Sequence, residues 1–389
     1  MKRTCAVLLA MTTVLGTTAV GVAGASADER TGTRTLQRDA DALLALGAPG
    51  VLVQLDTPTW RARARSGFGD VAAGTPVPWD ARFRIGSYTK TFVAATLLQL
   101  VGEGELSLED SVERWLPGVV AGNGNDGAKI TVRQLLQHTS GLPEYLEQLP
   151  HLFDQAGFEE HRFDTLEPED AVALAVKSAP VFEPGTDWSY SNTNYMLAGM
   201  IIAKITGNTW QHEVQARIIR PLGLRDTHTP GTSPNVPGPH AVGYQRFTPE
   251  GADVDVTRLN PSWGGAAGEI ISTTADGNRF LRALVGGRVL RPAQLAEMQK
   301  TVRAAKFDEG WPGARYGLGL MWVPNSCGGS WSHGGDIHGY KTRNGISPDG
   351  SRSVVVSINT DSMTPKPGVP APTKDVAVDL IDHALCATG

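Results

Sequence analysis

A serine and a lysine three residues apart, Ser87 and Lys90 in IGSYTKTF, are the residues best suited to chemistry. They open an apolar run at 92–101 that predicts a helix, so both side chains share one helix face. A serine hydroxyl is a weak nucleophile until a base removes its proton, and a lysine with a lowered pKa can do this. Backbone N–H groups at the helix start suit a developing oxyanion. The pair predicts a serine nucleophile, although the same spacing also arises by chance.

Tyr190 and Asn192, in WSYSNTNY, form a second polar group just before an apolar segment that is predicted to be helical. A loop before a helix exposes polar side chains, and a phenol beside a lysine ammonium can ionise and act as a general base. The amide of Asn192 can orient a substrate or hold Lys90. Without other motifs, the two residues would fit a core tyrosine and a helix-capping asparagine.

The third group is His333-Gly334-Gly335, in WSHGGDIHGY, at the end of a predicted strand. The two glycines allow a substrate backbone to approach and to pair with the strand edge. His333 would supply a proton carrier or a positive field. The backbone N–H of Asp336 would be an oxyanion donor beside that of Ser87. A β-turn next to a surface histidine is the alternative for this tripeptide alone.

The elements that must position these groups follow from the hydrophobic pattern. Strands are predicted at 50–55, 62–67, 317–323, 329–332, 340–346 and 354–359, and helices at 35–46, 132–138, 168–178, 194–205 and 373–385. Strands at both ends with helices between them predict one sheet built from both termini. The helix that follows Ser87 would then begin at the seam with an inserted helical region, where ligand pockets often form.

The three motifs S-x-x-K, Y-x-N and H-x-G, in this order, resemble those of the penicillin-recognising serine hydrolases. The combination is similar to the branch of class C β-lactamases and secreted DD-carboxypeptidase/transpeptidases. The resemblance runs from about 44 to 386 and includes ITVRQLLQHTSGL, SWGGAAGEIISTTAD and YGLGL. It implies an α/β fold with a mostly antiparallel sheet, flanked by N- and C-terminal helices, and an inserted all-helical subdomain at about 106–282.

The resemblance also implies roles for individual residues. Ser87 is the expected acylated nucleophile, Lys90 and Tyr190 are the proton-transfer pair, and His333 assists them. The expected substrate-binding residues are Asn192, Trp263, Gly334, Gly335 and Asp336. His138, in HTSGL, matches a segment that is expected to be structural. No metal or cofactor is required, and the absence of an H-E-x-x-H motif gives a zinc mechanism no support.

The function implied by the resemblance is that of a D-alanyl-D-alanine carboxypeptidase-type hydrolase acting on cell-wall peptides through an acyl-enzyme at Ser87. An esterase, a D-aminopeptidase, a class C-like β-lactamase and a catalytically silent penicillin-binding protein are the alternatives. Three positions depart from the carboxypeptidase pattern. Met321 replaces an arginine that binds the peptide carboxylate, and Gly334 and Asp336 replace hydroxyl residues. Arg343 on the next strand could restore the missing charge.

The composition limits the possible partners. The chain has 389 residues, of which 41% are hydrophobic and 19% charged, and its net charge is -5. This is enough apolar residues for one large core, and the lack of a basic block argues against a nucleic-acid partner. The resemblance implies a small peptide, ester or β-lactam substrate as the partner, and the protein is expected to be a monomer.

The N-terminus carries the pattern of a secretion signal. Lys2-Arg3 precedes an apolar stretch at 6–24 and an Ala25-Ser26-Ala27 cleavage site. Residues 1–27 are therefore predicted to be a signal peptide, and 28–389 a single secreted catalytic domain without a stable membrane anchor. Cys327 and Cys386 would remain, and an oxidising environment predicts that they form a disulfide between the C-terminal helix and the sheet. Two free buried thiols are the alternative.

Overall fold

The computed structural model of the protein describes residues 27–386, so the predicted signal peptide lies outside the described residues except for Ala27. The strands are β1 (Gly50–Asp56), β2 (Arg61–Asp70), β3 (Thr75–Pro76), β4 (Phe83–Arg84), β5 (Ala121–Gly122), β6 (Asn125–Asp126), β7 (Tyr244–Gln245), β8 (Val254–Asp255), β9 (Ile271–Ser272), β10 (Val302–Arg303), β11 (Arg315–Tyr316), β12 (Met321–Val323), β13 (Ser330–Ser332), β14 (Gly335–Ile337), β15 (Tyr340–Ile346) and β16 (Ser353–Ile358).

The α-helices are α1 (Ala27–Ala45), α2 (Thr89–Glu103), α3 (Val112–Trp115), α4 (Val132–Gln137), α5 (Gln155–His161), α6 (Pro168–Ala175), α7 (Thr193–Thr206), α8 (Trp210–Val214), α9 (Arg220–Leu222), α10 (Gly265–Gly268), α11 (Thr274–Val285), α12 (Pro292–Met298) and α13 (Val378–Cys386). Short 3₁₀ turns cover Gly86–Tyr88, Tyr145–Gln148, Pro150–Phe153, Pro261–Trp263 and Ala305–Phe307, and a π-helical turn covers Gln215–Ile219.

The large sheet joins the two ends of the chain. Its strand order is β10-β11-β12-β13-β15-β16-β1-β2-β3, with β14 paired to β15, and its ladders are antiparallel. In the centre, β1 near the N-terminus pairs with β16 near the C-terminus, so that Val53 faces Val356. This arrangement confirms the predicted α/β fold with an antiparallel sheet built from both termini.

Helices cover both faces of the central strands β1 and β16, and these two strands carry apolar residues on both faces. Alternate residues of β16 point to opposite faces. Val354 and Val356 pack against α1 and α13, whereas Val355 joins the core around α2 and α11. The predicted helices at both termini therefore flank the sheet, although α1 begins eight residues before the predicted start at Thr35.

Two predicted segments differ from the structure. The predicted strand at 317–323 is reduced to β12, because Gly319 adopts a positive φ of 69° and lies directly against Ala94 and the Lys90 carbonyl. The region at 106–282 is not all-helical, because long loops join its helices and it also holds the two-residue strands β5 to β9. In addition, α11 packs on β1 and β16, and Asn278 donates to the Gln54 carbonyl, so this helix forms part of the layer on the sheet.

The helix that follows the catalytic motif runs through the middle of the protein. Buried residues occupy every side of α2, which is typical of a helix surrounded by other elements. Ser87 lies in the 3₁₀ turn Gly86–Tyr88 just before this helix, and Lys90 is its second residue. In a 3₁₀ turn, side chains three residues apart project in the same direction. Ser87 and Lys90 therefore point to the same side, as the predicted helix also required.

A disulfide joins Cys327 to Cys386, as expected from the sequence, with the two Cα atoms 5.5 Å apart. It ties the end of α13 to the loop between β12 and β13. None of the helices within residues 27–386 has the length and apolar character needed to cross a bilayer.

Candidate active site

The amine of Lys90 is held among three oxygen atoms. Its Nζ lies 2.9 Å from Ser87 Oγ, 2.7 Å from Asn192 Oδ1 and 2.8 Å from the carbonyl oxygen of Ala267. Asn192 Nδ2 donates to Glu144 at 3.0 Å, which leaves the amide oxygen to face Lys90. The structure therefore brings together Ser87, Lys90 and Asn192 as the sequence predicted.

This arrangement fits a neutral lysine that accepts the serine proton. The amide oxygen of Asn192 and the carbonyl oxygen of Ala267 can only accept hydrogen bonds, so they take the two N–H bonds of a neutral amine. The lone pair of the amine then points at the Ser87 hydroxyl. Burial lowers the pKa of Lys90 to about 7, although the carboxylate of Glu144 opposes the shift. A large share of Lys90 is therefore neutral near pH 7.

Tyr190 lies beside the same pair. The lysine nitrogen is 4.8 Å from the centre of the Tyr190 ring. Burial raises the pKa of Tyr190 far above its usual value, and the neighbouring Ser87 side chain opposes this only in part. The expectation that Lys90 favours a phenolate is wrong for the resting site, because burial outweighs the nearby amine. Tyr190 rests as a phenol that can give up a proton.

The backbones of Gly86 and Gly335 are in direct contact, at the place where the sequence predicts the oxyanion hole. A side chain on Gly335 would lie 2.0 Å from the Ile85 oxygen and 2.6 Å from the Ser87 nitrogen. Gly86 has a φ of 52°, and a side chain there would meet the peptide of Asp336 at 2.8 Å. The N–H groups of Ser87 and Asp336 therefore lie close enough to converge on one oxygen atom.

The position of Asp336 in its hairpin also directs its peptide to the site. β14 and β15 are joined by a two-residue turn, and Ile337 pairs with Tyr340. Hydrogen-bonded and non-hydrogen-bonded pairs alternate along an antiparallel ladder. The backbone nitrogen and oxygen of Asp336 both lie against Gly86, so its peptide groups point away from β15 and towards the Ser87 turn.

The side chain of Asp336 is anchored by cations. Arg343 Nη1 and Nη2 donate to its two oxygens at 2.9 and 3.1 Å, and Lys341 donates at 2.7 Å. Burial alone would raise the pKa of Asp336, but Arg343 and Lys341 lower it well below its usual range. Arg343 Nε also donates to Asp375 at 2.7 Å, and its side chain is only 5% exposed. Arg343 therefore does not offer the free guanidinium that the sequence allowed for a substrate carboxylate.

His333 is buried with both ring nitrogens occupied. Its Nδ1 lies 2.8 Å from the Gly334 carbonyl oxygen, so this nitrogen carries the proton, and Nε2 accepts from the Tyr316 hydroxyl at 2.7 Å. Burial, together with the charge of Lys90, lowers the pKa of His333 to about 3. The structure corrects the expectation of a proton carrier or positive field, because His333 is a neutral residue held in place by its neighbours.

A cavity of about 290 Å³ opens at the serine. Ser87, Tyr190, His333, Gly334, Gly335 and Asp336 line it together with Phe307, Trp311, Met321, Ser332, Arg343 and Ile381. Trp263, which was expected to line the cleft, is not among its lining residues; its ring packs 5.4 Å from that of His338, and its carbonyl accepts from Tyr145. Met321 is buried in the wall, at the position where the resemblance placed an arginine.

Glu144 and His138 support the site from behind, and the sequence did not predict a role at the site for either residue. Glu144 accepts from the backbone and side-chain N–H groups of Asn192 at 2.7 and 3.0 Å, and burial raises its pKa. The position of Glu144 directly after the HTSGLP segment was the sequence feature that could have indicated its role. His138, expected to be structural, accepts the Ser191 N–H at 3.2 Å and lies 4.2 Å from the Tyr190 ring. Both residues hold the Tyr190–Asn192 segment in place.

The comparisons agree with this geometry. The Beta-lactamase family model matches residues 34–377. A D-stereospecific amidohydrolase from Streptomyces sp. is 41% identical, with a TM-score of 0.83 over 92% of this chain and 99% of that chain. Penicillin-binding protein 4 of Amycolatopsis lactamdurans is 31% identical over 68% of each chain. Esterase EstB of Burkholderia gladioli is 36% identical over 48% of each chain.

The chain spans about half the length of the curated relatives that it matches, with 38% to 62% covered in three of them. The family match, in contrast, extends over most of the chain and includes Ser87, Lys90, Tyr190, Asn192 and His333. The activated serine, its lysine and the antiparallel sheet agree with it. The protein therefore belongs to the Beta-lactamase family and is a serine hydrolase.

Proposed function

We propose that the protein hydrolyses amides of D-amino acids through an acyl-enzyme at Ser87. The main support is the charge of the cavity. Among the described residues that line it, Arg343 is the only lysine or arginine, and Asp336 and Asp375 hold it. A peptide with a free carboxylate needs a cationic partner. D-alanyl-D-alanine carboxypeptidase activity, the function expected from the resemblance, is therefore disfavoured.

The cavity suits a substrate with a free amino group better than one with a free carboxylate. Asp336 is the carboxylate among the described residues that line it, and its side chain is 42% exposed although Arg343 and Lys341 pair with it. An α-ammonium group can approach this carboxylate, whereas a terminal carboxylate meets no unpaired cation among the lining residues. The similarity to a D-stereospecific amidohydrolase agrees with this substrate class.

The proposed mechanism is double displacement. Neutral Lys90 takes the Ser87 proton while the oxygen attacks the amide carbonyl, and the N–H groups of Ser87 and Asp336 hold the oxyanion. Tyr190 gives its phenolic proton to the leaving nitrogen and regains one from Lys90. Water then releases the acid by the reverse transfers. General acid–base catalysis of this kind increases the rate by about 10²–10⁴-fold, and one oxyanion donor increases it by about 10²–10³-fold.

A substrate panel tests the proposal. D-alanine p-nitroanilide, its L-isomer, an acetylated peptide ending in D-Ala-D-Ala, a p-nitrophenyl ester and a cephalosporin are compared, with Ser87→Ala as the control. We expect kcat/KM for the D-anilide to exceed that for both the L-anilide and the D-Ala-D-Ala peptide by about 100-fold or more. A higher kcat/KM for the D-Ala-D-Ala peptide than for the D-anilide would overturn it. Faster ester turnover without D-selectivity would favour the esterase alternative.

We also propose that the protein is secreted. This is supported by the basic residues Lys2-Arg3, the apolar stretch at 6–24 and the small residues Ala25-Ser26-Ala27. The Cys327–Cys386 disulfide also supports it, because disulfides form in oxidising compartments. Expression of the full chain in a secreting bacterial host, followed by mass analysis of the exported protein, is expected to show an N-terminus at Asp28. Retention of the uncleaved chain inside the cell would contradict secretion.

A further inference from the structure

A second cavity, of about 500 Å³, lies next to α10 and is separate from the Ser87 cavity. Its apolar wall includes Leu166, Met200 and Trp210, and exposed polar residues form its mouth. None of the residues that carry the proposed chemistry lines it. The cavity is large enough for a small organic molecule.

Glu269 lies in the wall of this cavity and is only 1% exposed. Its Oε1 accepts from Gln211 Nε2 at 3.3 Å and from the Gly231 N–H at 3.2 Å. Within residues 27–386, its Oε2 makes no hydrogen bond, and this oxygen is not among the fully enclosed side-chain atoms. Because Glu269 lines the cavity, Oε2 is accessible from the cavity to a ligand that donates a hydrogen bond.

The charged side chains at the mouth of the cavity favour the approach of a cation. Glu167 and Glu169 line the mouth of the cavity, together with Lys204, so acidic groups outnumber basic ones there. Arg84 acts on Glu269 from the protein interior. Burial nevertheless raises the pKa of Glu269 to about 8, against the opposing effects of Gly231, Gln211 and Arg84. The free site is therefore mostly protonated at pH 7, and a bound cation would displace that proton.

We propose that this cavity binds a primary ammonium ion on a small apolar body, with Glu269 Oε2 accepting its N–H group. Leu166, Met200 and Trp210 would cover the apolar body. The site is distinct from the hydrolytic centre but close to it. Ala267, whose carbonyl oxygen holds Lys90, stands two residues before Glu269.

Calorimetric titration of the protein with cyclohexylammonium tests the proposal, and cyclohexanol serves as the uncharged analogue. We expect saturable binding of the amine that is about tenfold or more tighter at pH 9 than at pH 6, because the carboxyl group ionises in between. At pH 7, titrations in two buffers of different ionisation enthalpy are expected to show release of close to one proton. The alcohol is expected to bind more weakly at pH 9.

Three variants locate the binding site. Glu269→Gln keeps the shape of the side chain but cannot ionise, so it is expected to remove the pH dependence and weaken amine binding about tenfold at pH 9. Ala203→Phe fills the cavity from α7 and is expected to abolish binding. Glu250→Gln, at an exposed position, is the matched control and is expected to bind like the unmodified chain. Unchanged binding in both cavity variants, equal affinity for the alcohol, or no saturable amine binding would overturn the proposal.

Discussion

The hydroxyl of Tyr316 lies 2.7 Å from Nε2 of His333, while the other ring nitrogen faces the Gly334 carbonyl oxygen. The two bonds fix the tautomer and the orientation of the ring. Because the pKa of His333 is lowered to about 3, this residue stays neutral throughout the physiological range. Beside Ser87, the group that titrates near neutrality is Lys90 instead.

The pH dependence of hydrolysis is therefore expected to report Lys90. Its pKa of about 7 means that the amine is mostly charged below pH 7 and mostly neutral above it. Because the neutral amine is the base, kcat/KM is expected to rise tenfold per pH unit below about pH 7 and to level off above it. A rate profile from pH 4 to 10 checks this. A rate that falls as the pH rises through 7 would contradict a neutral lysine base.

Replacing Lys90 by arginine tests the same assignment. The guanidinium keeps a positive charge but does not lose its proton at any working pH. Lys90→Arg is expected to lower kcat by about 10³-fold or more and to remove the rise of kcat/KM below pH 7 from the pH–rate profile. Lys204→Arg, at an exposed position on α7, is the matched control and is expected to keep full activity. Retained activity in Lys90→Arg would show that the residue only supplies charge.

Removal of the Tyr316 hydroxyl is expected to slow catalysis by freeing His333. One hydrogen bond of this kind contributes about 1 kcal/mol, so kcat in Tyr316→Phe is expected to fall about fivefold to tenfold. The variant Tyr340→Phe also loses a buried hydroxyl bond, to Ala241 at 2.8 Å, but lies away from the Ser87 cavity. It is expected to lose stability to a similar degree while keeping kcat. Equal kcat values in the two variants would count against a positioning role for Tyr316.

Arg343 is expected to act by holding Asp336, whose peptide N–H belongs to the oxyanion hole. A lysine cannot make the two parallel bonds of the guanidinium. Arg343→Lys is therefore expected to reduce kcat by about tenfold or more and to leave KM nearly unchanged, because the hole acts mainly in the transition state. Lys374→Met removes an exposed ion pair with Asp379 and is expected to change neither value. A rise in KM alone would instead indicate that Arg343 binds substrate.

The contact between Gly335 and the Ser87 turn predicts a strong effect of a single methyl group. In Gly335→Ala the new carbon would lie 2.0 Å from the Ile85 oxygen, so the two backbones must separate. The rate of acyl-enzyme formation is expected to fall by about 10²-fold or more. Gly310→Ala adds a methyl group in open space and is the control. An unchanged burst of product in Gly335→Ala would contradict the proposed oxyanion hole.

Local spacing was enough to predict part of this site. Ser87 and Lys90 are three residues apart on one turn, and Asn192 sits at the start of a strongly apolar helix, so short-range patterns located them. The central strands β1 and β16 were predictable for the same reason, since both are short, mainly apolar runs bounded by turns. These features depend on neighbours in the chain, which the sequence displays directly.

The protonation states and ion pairs could not be predicted in this way. They depend on burial and on partners distant in sequence. His333 is neutral because Tyr316 and the surrounding core enclose it, and Arg343 is occupied because it pairs with both Asp336 and Asp375. Glu144 contacts Asn192 across 48 residues of sequence. Each of these contacts exists only after the sheet and the inserted helices have packed together.

The most direct test of the central claim is to trap the acyl-enzyme. The protein is mixed with an ester of D-phenylalanine, quenched in acid within the burst phase, digested and analysed by mass spectrometry. We expect one D-phenylalanyl group per chain, attached to Ser87, and none in Ser87→Ala. Attachment to another residue, or steady turnover of the ester by Ser87→Ala at the unmodified rate, would contradict the assignment of Ser87 as the nucleophile.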